Sequence, residues 1–323
     1  MPLNPEISKL ASQYRISGMF TGFLESLSDR EEDYVSKIKK AVLDQPIASL
    51  NYGKIWSRVQ GTIYKGVINC DPRVFKHVGV LDYKSFTIDR VGVTQDQAES
   101  EVRRILATHE FLGSAVANDC NYYLSFGLNR RRFRFKDNVF GDEACQFEEL
   151  CFIRSSLGRF PKTVLEIGCG YGKLTQMLVE RGAKVVVVDF PGMWAINAFS
   201  LMCAGKRVGF GDQAMENMRD FDVVFVGPGS LQDYTLFKNF PIRFDLAVCV
   251  HALGEMTKEH ATDYLQFIKE NAEAFFTCGY GIANSIPEKI PEILGWKTVA
   301  ARYAFYDAWT HPEPKDVMAL FER

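Results

Sequence analysis

Residues 164–172 read VLEIGCGYG and residues 185–190 read VVVVDF. Together they decide the fold class. Val164, Leu165 and Ile167 form a short apolar run, as in a strand covered on both faces. Gly168, Gly170 and Gly172 follow at alternate positions, where a backbone must turn sharply and approach a ligand closely. Leu174, Met177 and Leu178 are spaced i, i+3, i+4, so a helix starts near Gly172, with Gly182 as its stop. The second run is another buried strand, ending on Asp189. A strand, a glycine turn, a helix and a second strand make half of a nucleotide-type site, with the ligand outside the carboxyl ends of the strands. Asp189 is placed there to accept hydrogen bonds from a pair of ribose hydroxyls.

The dinucleotide fingerprint requires a third glycine where this chain has Lys173. It also favours a helix N-terminus free of negative charge, for the pyrophosphate. Here Glu166 lies inside the first strand, two residues before the first glycine. A carboxylate at that point suits a cation, such as the sulfonium and amino group of S-adenosylmethionine. The expected cofactor set from the two runs is Glu166, Gly168, Cys169, Gly170, Gly172, Asp189 and Phe190. The competing reading is an ordinary strand-turn-helix that binds no cofactor.

The chain has 323 residues, with 47% hydrophobic and 24% charged content, the mix of a soluble globular protein. A formal net charge of −2 gives no global attraction to nucleic acid or anionic membrane. The apolar runs are strand-sized, and the start, MPLNPEISKL, lacks the pattern of a signal peptide. The 8 cysteines form no C-x-x-C pair and read as reduced, buried thiols of a cytoplasmic protein.

Residues 1–158 read as a mainly helical domain serving as substrate cover, dimer surface or both. Val35, Ile38 and Val42 mark one helix face. Ala98, Val102, Ile105, Leu106 and Leu112 mark a second. Asp142 is the expected cap of a third, which carries Cys145, Leu150, Ile153 and Leu157 and ends at Gly158. Residues 159–323 read as an α/β domain with strands at 163–168, 184–190, 222–227, 244–250, 273–279, 296–302 and 316–322. Thr257 caps a crossover helix over 257–271. The last two strands lack an intervening helix and form a hairpin-like pair at the sheet edge. Segment 205–221 reads as an excursion rather than a strand.

FDLAVCVHALGEM, residues 244–256, brings His251 to the carboxyl edge of the sheet, with Glu255 close behind. An alcohol is a poor nucleophile, and histidine titrates near neutrality, so His251 is the candidate general base for methyl transfer to a hydroxyl. Glu255 would orient it or bind substrate hydroxyls. The plainer alternative has His251 capping the next loop and Glu255 on the surface. The run from Asn129 to Lys136 interleaves basic residues with Phe133 and Phe135; Arg130 there is a candidate for substrate phosphate, as in a nucleotide sugar, against a plain solvated strand or, more remotely, a nucleic-acid face. Tyr280, Asn284 and Trp309 follow strand ends and are candidates for the acceptor pocket. No convincing set of metal ligands is apparent.

These segments resemble the class I S-adenosylmethionine-dependent methyltransferases and, more narrowly, a bacterial sugar O-methyltransferase family. The glycine motif carries the broad resemblance. Asp189-Phe190-Pro191 and Glu255-Met256 carry the narrower one. The resemblance spans roughly residues 125 to 285. It implies a Rossmann-like seven-stranded methyltransferase sheet with a helical N-terminal region. It also implies Ser230 and Leu231 near the adenine, and His251 and Glu255 facing the acceptor. The expected function is methyl transfer to a hydroxyl of a sugar or sugar-like molecule in natural product or polysaccharide biosynthesis, without nucleic-acid or membrane partners and with a homodimer as one possible state. The alternatives are N-methylation of an amino sugar or other amine, a nicotinamide-dependent oxidoreductase, and a cofactor-binding scaffold without turnover.

Overall fold

The computed structural model describes residues 26–45, 64, 65, 67–69, 72, 75, 141–170, 172–228, 243–280, 289–304 and 316–323. Its centre is an eight-stranded sheet in the order β3-β4-β2-β1-β5-β6-β8-β7. The strands are β1 (Thr163–Ile167), β2 (Lys184–Val188), β3 (Val208–Phe210), β4 (Val223–Val226), β5 (Leu246–Val250), β6 (Ala274–Tyr280), β7 (Lys297–Tyr303) and β8 (Asp316–Glu322). The first six run parallel, and β8 is antiparallel to both neighbours, β6 and β7. This is a Rossmann-like, mostly parallel sheet, with one strand more than the seven expected. The additional strand is β3, inside the segment read as an excursion. Its VGF is too short to stand out by periodicity, and it forms because its edge position beside β4 satisfies its backbone. The edge hairpin occurs as expected, with β8 inserted between β6 and β7.

Valines 185–188 need no alternation because both faces of β2 are covered. One face packs on α1 (Asp29–Asp44), α2 (Gly141–Leu157), α3 (Lys173–Glu180) and α4 (Pro191–Cys203). The other packs on α5 (Gly211–Glu216), α7 (Lys258–Asn271) and α8 (Ile290–Leu294). Between β5 and α7 lies one short turn of helix, α6 (Ala252–Glu255). Val35, Ile38 and Val42 of α1 are buried in the same cluster as Val164, Val185 and Phe276 of the sheet. The second expected N-terminal helix, around 98–112, falls outside the described residues.

Two helix starts illustrate the capping chemistry. Ser28 caps α1 in a reciprocal box with Glu31, and Thr257 accepts the backbone N–H of His260 at the start of α7, as expected. Asp142 is not a cap, because α2 already begins at Gly141. Gly158 ends α2 with φ +69°, as the sequence suggests. Cys151, Cys169, Cys249 and Cys278 are buried free thiols, whereas Cys203 is exposed, at the end of α4 where the core stops. No helix among the described residues is long and apolar enough to cross a membrane.

The chain runs outward from β1 to β2 and to the edge strand β3, steps back to β4, then crosses to β5 on the other side of β1. The direction of winding therefore reverses between β1 and β5, which opens a crevice at their carboxyl ends.

Candidate active site

The crevice is a cavity of about 340 Å³, in the size range of small-ligand sites. The loop after β1 and the end of β2 form one end, through Glu166, Gly168, Cys169, Gly170, Asp189 and Phe190. Gln146 and Glu149 of α2, His251, Glu255, Met256 and Tyr264 line the rest. Both predicted constellations thus open into one space.

Strand alternation places Glu166. Leu165 and Ile167 face the α5–α7–α8 side, so Val164 and Glu166 face the α1–α4 side. There Thr175 of α3 donates to Glu166 Oε2 at 2.5 Å, and Asn197 of α4 donates to Thr175 Oγ1 at 2.9 Å. The carboxyl is 4% exposed. Burial is the largest influence and raises its pKa to about 8; the Thr175 hydrogen bond pulls the other way, and nearby Asp189 adds to the rise.

Asp189 organises the loop around it. Its Oδ2 accepts the N–H of Cys169 at 2.9 Å and its Oδ1 accepts that of Phe190 at 2.6 Å. Burial raises its pKa to about 6, against the pull of these backbone donors. The glycines are required sterically. A Cβ on Gly168 would sit 2.5 Å from Ala252 Cβ, and one on Gly172 would fall inside the Asn197 amide. Both also have left-handed φ, +76° and +72°. The result is a cradle of bare backbone between two buried carboxyls. It suits a cation beside Glu166 and a pair of hydroxyl donors at Asp189.

His251 follows β5, and its N–H donates to the carbonyl of Cys278 in β6 at 2.7 Å. Among the described residues it is the one non-glycine with positive φ, +59°. Such a conformation costs about 1–3 kcal/mol and persists only where the surroundings enforce it. His251 occupies the N-cap position of α6 but makes no side-chain capping bond, so capping does not account for the imidazole. Its Nε2 lies 3.6 Å from Asp316 Oδ2 at the start of β8, in electrostatic contact but beyond hydrogen-bond length. Cys278 completes a group with donor atoms within 4.8 Å of one another. Burial, with Glu149 and Asp316 nearby, pushes the Cys278 thiol's pKa up, which opposes thiolate ligation of a metal.

Glu255 closes α6 and borders the cavity, exposed. Tyr280 ends β6 opposite Asp316 in register. Ser230, Leu231, Arg130, Asn284 and Trp309, and the side chain of Tyr280, fall outside the described residues. The sequence reading missed Gln146, Glu149, Thr175, Asn197 and Asp316. Gln146 and Glu149 carried a usable signal, since they share a helical face with Ile153 and interrupt an otherwise apolar stripe. Asp316 carried none, because only the insertion of β8 beside β6 brings it to His251.

No protein-family model matches the chain. A ubiquinone biosynthesis O-methyltransferase of Idiomarina loihiensis is 32% identical over 117 residues, covering 36% of this chain and 39% of that relative. The chain therefore spans well under half of the curated relative it matches. Among solved structures, magnesium protoporphyrin IX methyltransferase from Synechocystis PCC 6803 with bound SAM is 13% identical, with a TM-score of 0.40 over 65% of this chain and 99% of that one. The 1,6-didemethyltoxoflavin-N1-methyltransferase of Burkholderia thailandensis is 17% identical, with a TM-score of 0.38 over 67% and 89% of the two chains.

Proposed function

We propose that this chain transfers a methyl group from S-adenosylmethionine to a hydroxyl of a sugar-like small molecule. The observation that carries the reading is the pair of buried carboxyls, Glu166 and Asp189, on adjacent strand ends around a glycine cradle that shares its cavity with His251. When bound, the donor supplies an electrophilic methyl on a positively charged sulfur. Glu166 holds positive charge at that end, and Asp189 accepts from the ribose hydroxyls while keeping the loop in place. His251 takes the proton from the attacking hydroxyl oxygen as the C–O bond forms and the C–S bond breaks, with its electrons staying on sulfur. Glu255 binds neighbouring acceptor hydroxyls. Residues 1–158 contribute the acceptor cover, supported by Gln146 and Glu149 on the cavity wall. A cytoplasmic location goes with the reading, supported by the buried free thiols.

An amine as the methylated group is the second reading, favoured by the acidic lining of the cavity. The test is calorimetry with S-adenosylhomocysteine followed by turnover of wild type and His251→Asn. Under the hydroxyl reading, His251→Asn binds the cofactor product normally and loses at least about a hundredfold in kcat. Unchanged kcat removes the base role and favours the amine. No binding of S-adenosylhomocysteine by wild type removes methyl transfer altogether.

A further inference from the structure

The α2 side of the cavity holds two oxygens that the fold itself leaves without a hydrogen bond. Glu149 Oε2 and Gln146 Oε1 are buried and have no hydrogen-bond partner among the described residues, and both residues border the cavity one helical turn apart. Glu149 is 4% exposed. Buried polar atoms are nearly always paired, so two orphaned oxygens on residues that line one cavity mark the place of a missing donor. The adjacent Glu148 is already held by Arg302 Nη1 at 2.6 Å. Other acids reach Glu149 electrostatically from two directions, Glu166 at the cradle and Asp316 beside His251. Among the described lining residues, Glu149, Glu166, Asp189 and Glu255 carry carboxyls, and none is Lys or Arg. The glycine cradle employs Glu166 and Asp189. Nothing described on the cavity wall balances Glu149.

We propose that Gln146 and Glu149 bind an ammonium group carried by the methyl acceptor, so that the acceptor is an amino-bearing, cationic molecule. This rests on reading the cradle as the S-adenosylmethionine site. An ammonium offers three donors and no lone pair, which matches two bare oxygens. Its charge also lets Glu149 ionise among other acids, which a neutral polyol cannot do. The same lining disfavours an acceptor carrying phosphate or carboxylate at this point. Placed there, the ammonium is anchored on α2 while a separate hydroxyl faces His251. Gln146 and Glu149 are therefore specificity residues for the acceptor and stand outside the proton transfer.

The experiment is calorimetry on the full chain saturated with S-adenosylhomocysteine, using matched probes: glucosamine and glucose, galactosamine and galactose, cyclohexylamine and cyclohexanol. Wild type should bind at least one amine about tenfold more tightly than its hydroxyl partner, a free-energy difference of about 1.4 kcal/mol. Glu149→Gln should abolish that preference and leave S-adenosylhomocysteine affinity within about twofold, which also confirms that the variant folds. No amine preferred in wild type, or a preference that survives Glu149→Gln, overturns the assignment. A Glu149→Gln variant that loses S-adenosylhomocysteine binding also overturns it, because Glu149 would then serve the donor. Failure of wild type to bind S-adenosylhomocysteine instead overturns the methyl-transfer reading on which this one stands.

Discussion

Thr175 donates a 2.5 Å hydrogen bond to Glu166, joining the first turn of α3 to the acid inside β1. The bond favours the ionised carboxylate against the burial that opposes it. Thr175→Val keeps the shape and removes the donor. S-adenosylmethionine affinity at pH 7 should fall about tenfold, the worth of one hydrogen bond to a charged group. Much of the loss should return by pH 9, where Glu166 ionises unaided. Calorimetry at the two pH values checks both parts.

Glu166 also sets a pH profile. Its pKa in the folded chain is about 8, above the ordinary 4.5. Below about pH 8 the ligand-free protein therefore holds a proton that a cationic ligand must displace. Affinity for S-adenosylmethionine should rise by up to about tenfold per pH unit from pH 6 and flatten above 8. Stability of the ligand-free fold runs the opposite way. The contribution of Glu166 is fully present below about pH 4.5 and is lost as pH rises through 8. Glu166→Gln should flatten both curves, read by calorimetry and by chemical denaturation.

Asp189 lines the cavity and clamps the N–H groups of Cys169 and Phe190. Asp189→Ala should weaken S-adenosylmethionine binding at least about a hundredfold and lower stability by about 1–3 kcal/mol, as two backbone donors lose their acceptor. Equilibrium denaturation beside calorimetry separates the two effects.

Gly172 borders the Asn197 amide so closely that a methyl group has no room. Gly172→Ala should destabilise by about 2–4 kcal/mol through the clash and the left-handed φ together. Adding Asn197→Gly should recover the steric part and leave the backbone part, a non-additivity that a double-mutant cycle measures.

Arg302 of β7 and buried Glu148 of α2 form an ion pair that fixes α2 to the sheet. Arg302→Met should cost about 3–5 kcal/mol, because it takes the guanidinium away from a buried carboxylate. Replacing both, as Arg302→Met with Glu148→Leu, should recover most of that stability in thermal denaturation.

The parallel sheet was legible because each of its central strands is a nearly unbroken apolar run, a pattern with one physical cause, burial on both faces. Val164–Gly172 and Asp189 were legible because glycine and buried acid have few other uses at a strand end. The short strand Val208–Phe210 was not, since three residues give no period to read. Thr175 and Asn197 were hidden for another reason. Each looks like an ordinary helix residue until alternation in β1 turns Glu166 toward them. His251 and Glu255 could be placed at the sheet edge, but Asp316 beside His251 comes from β8, and Gln146 and Glu149 of the same cavity come from α2, far away in the chain. Sequence distance conceals such pairs, and only the packing of helix on sheet shows them.

The insertion of β8 between β6 and β7 has a consequence for how the protein is made. As the chain leaves the ribosome, β1 to β6 can pair in turn, and the glycine cradle can form. The edge of β6 then stays open until residues 316–322 emerge, an exposed template for wrong pairing. Asp316 arrives with that strand, so its approach to His251 is completed last. A translating ribosome halted before β8 would thus present the glycine cradle without the Asp316–His251 contact, and S-adenosylhomocysteine binding by stalled nascent chains would reveal whether the cradle suffices.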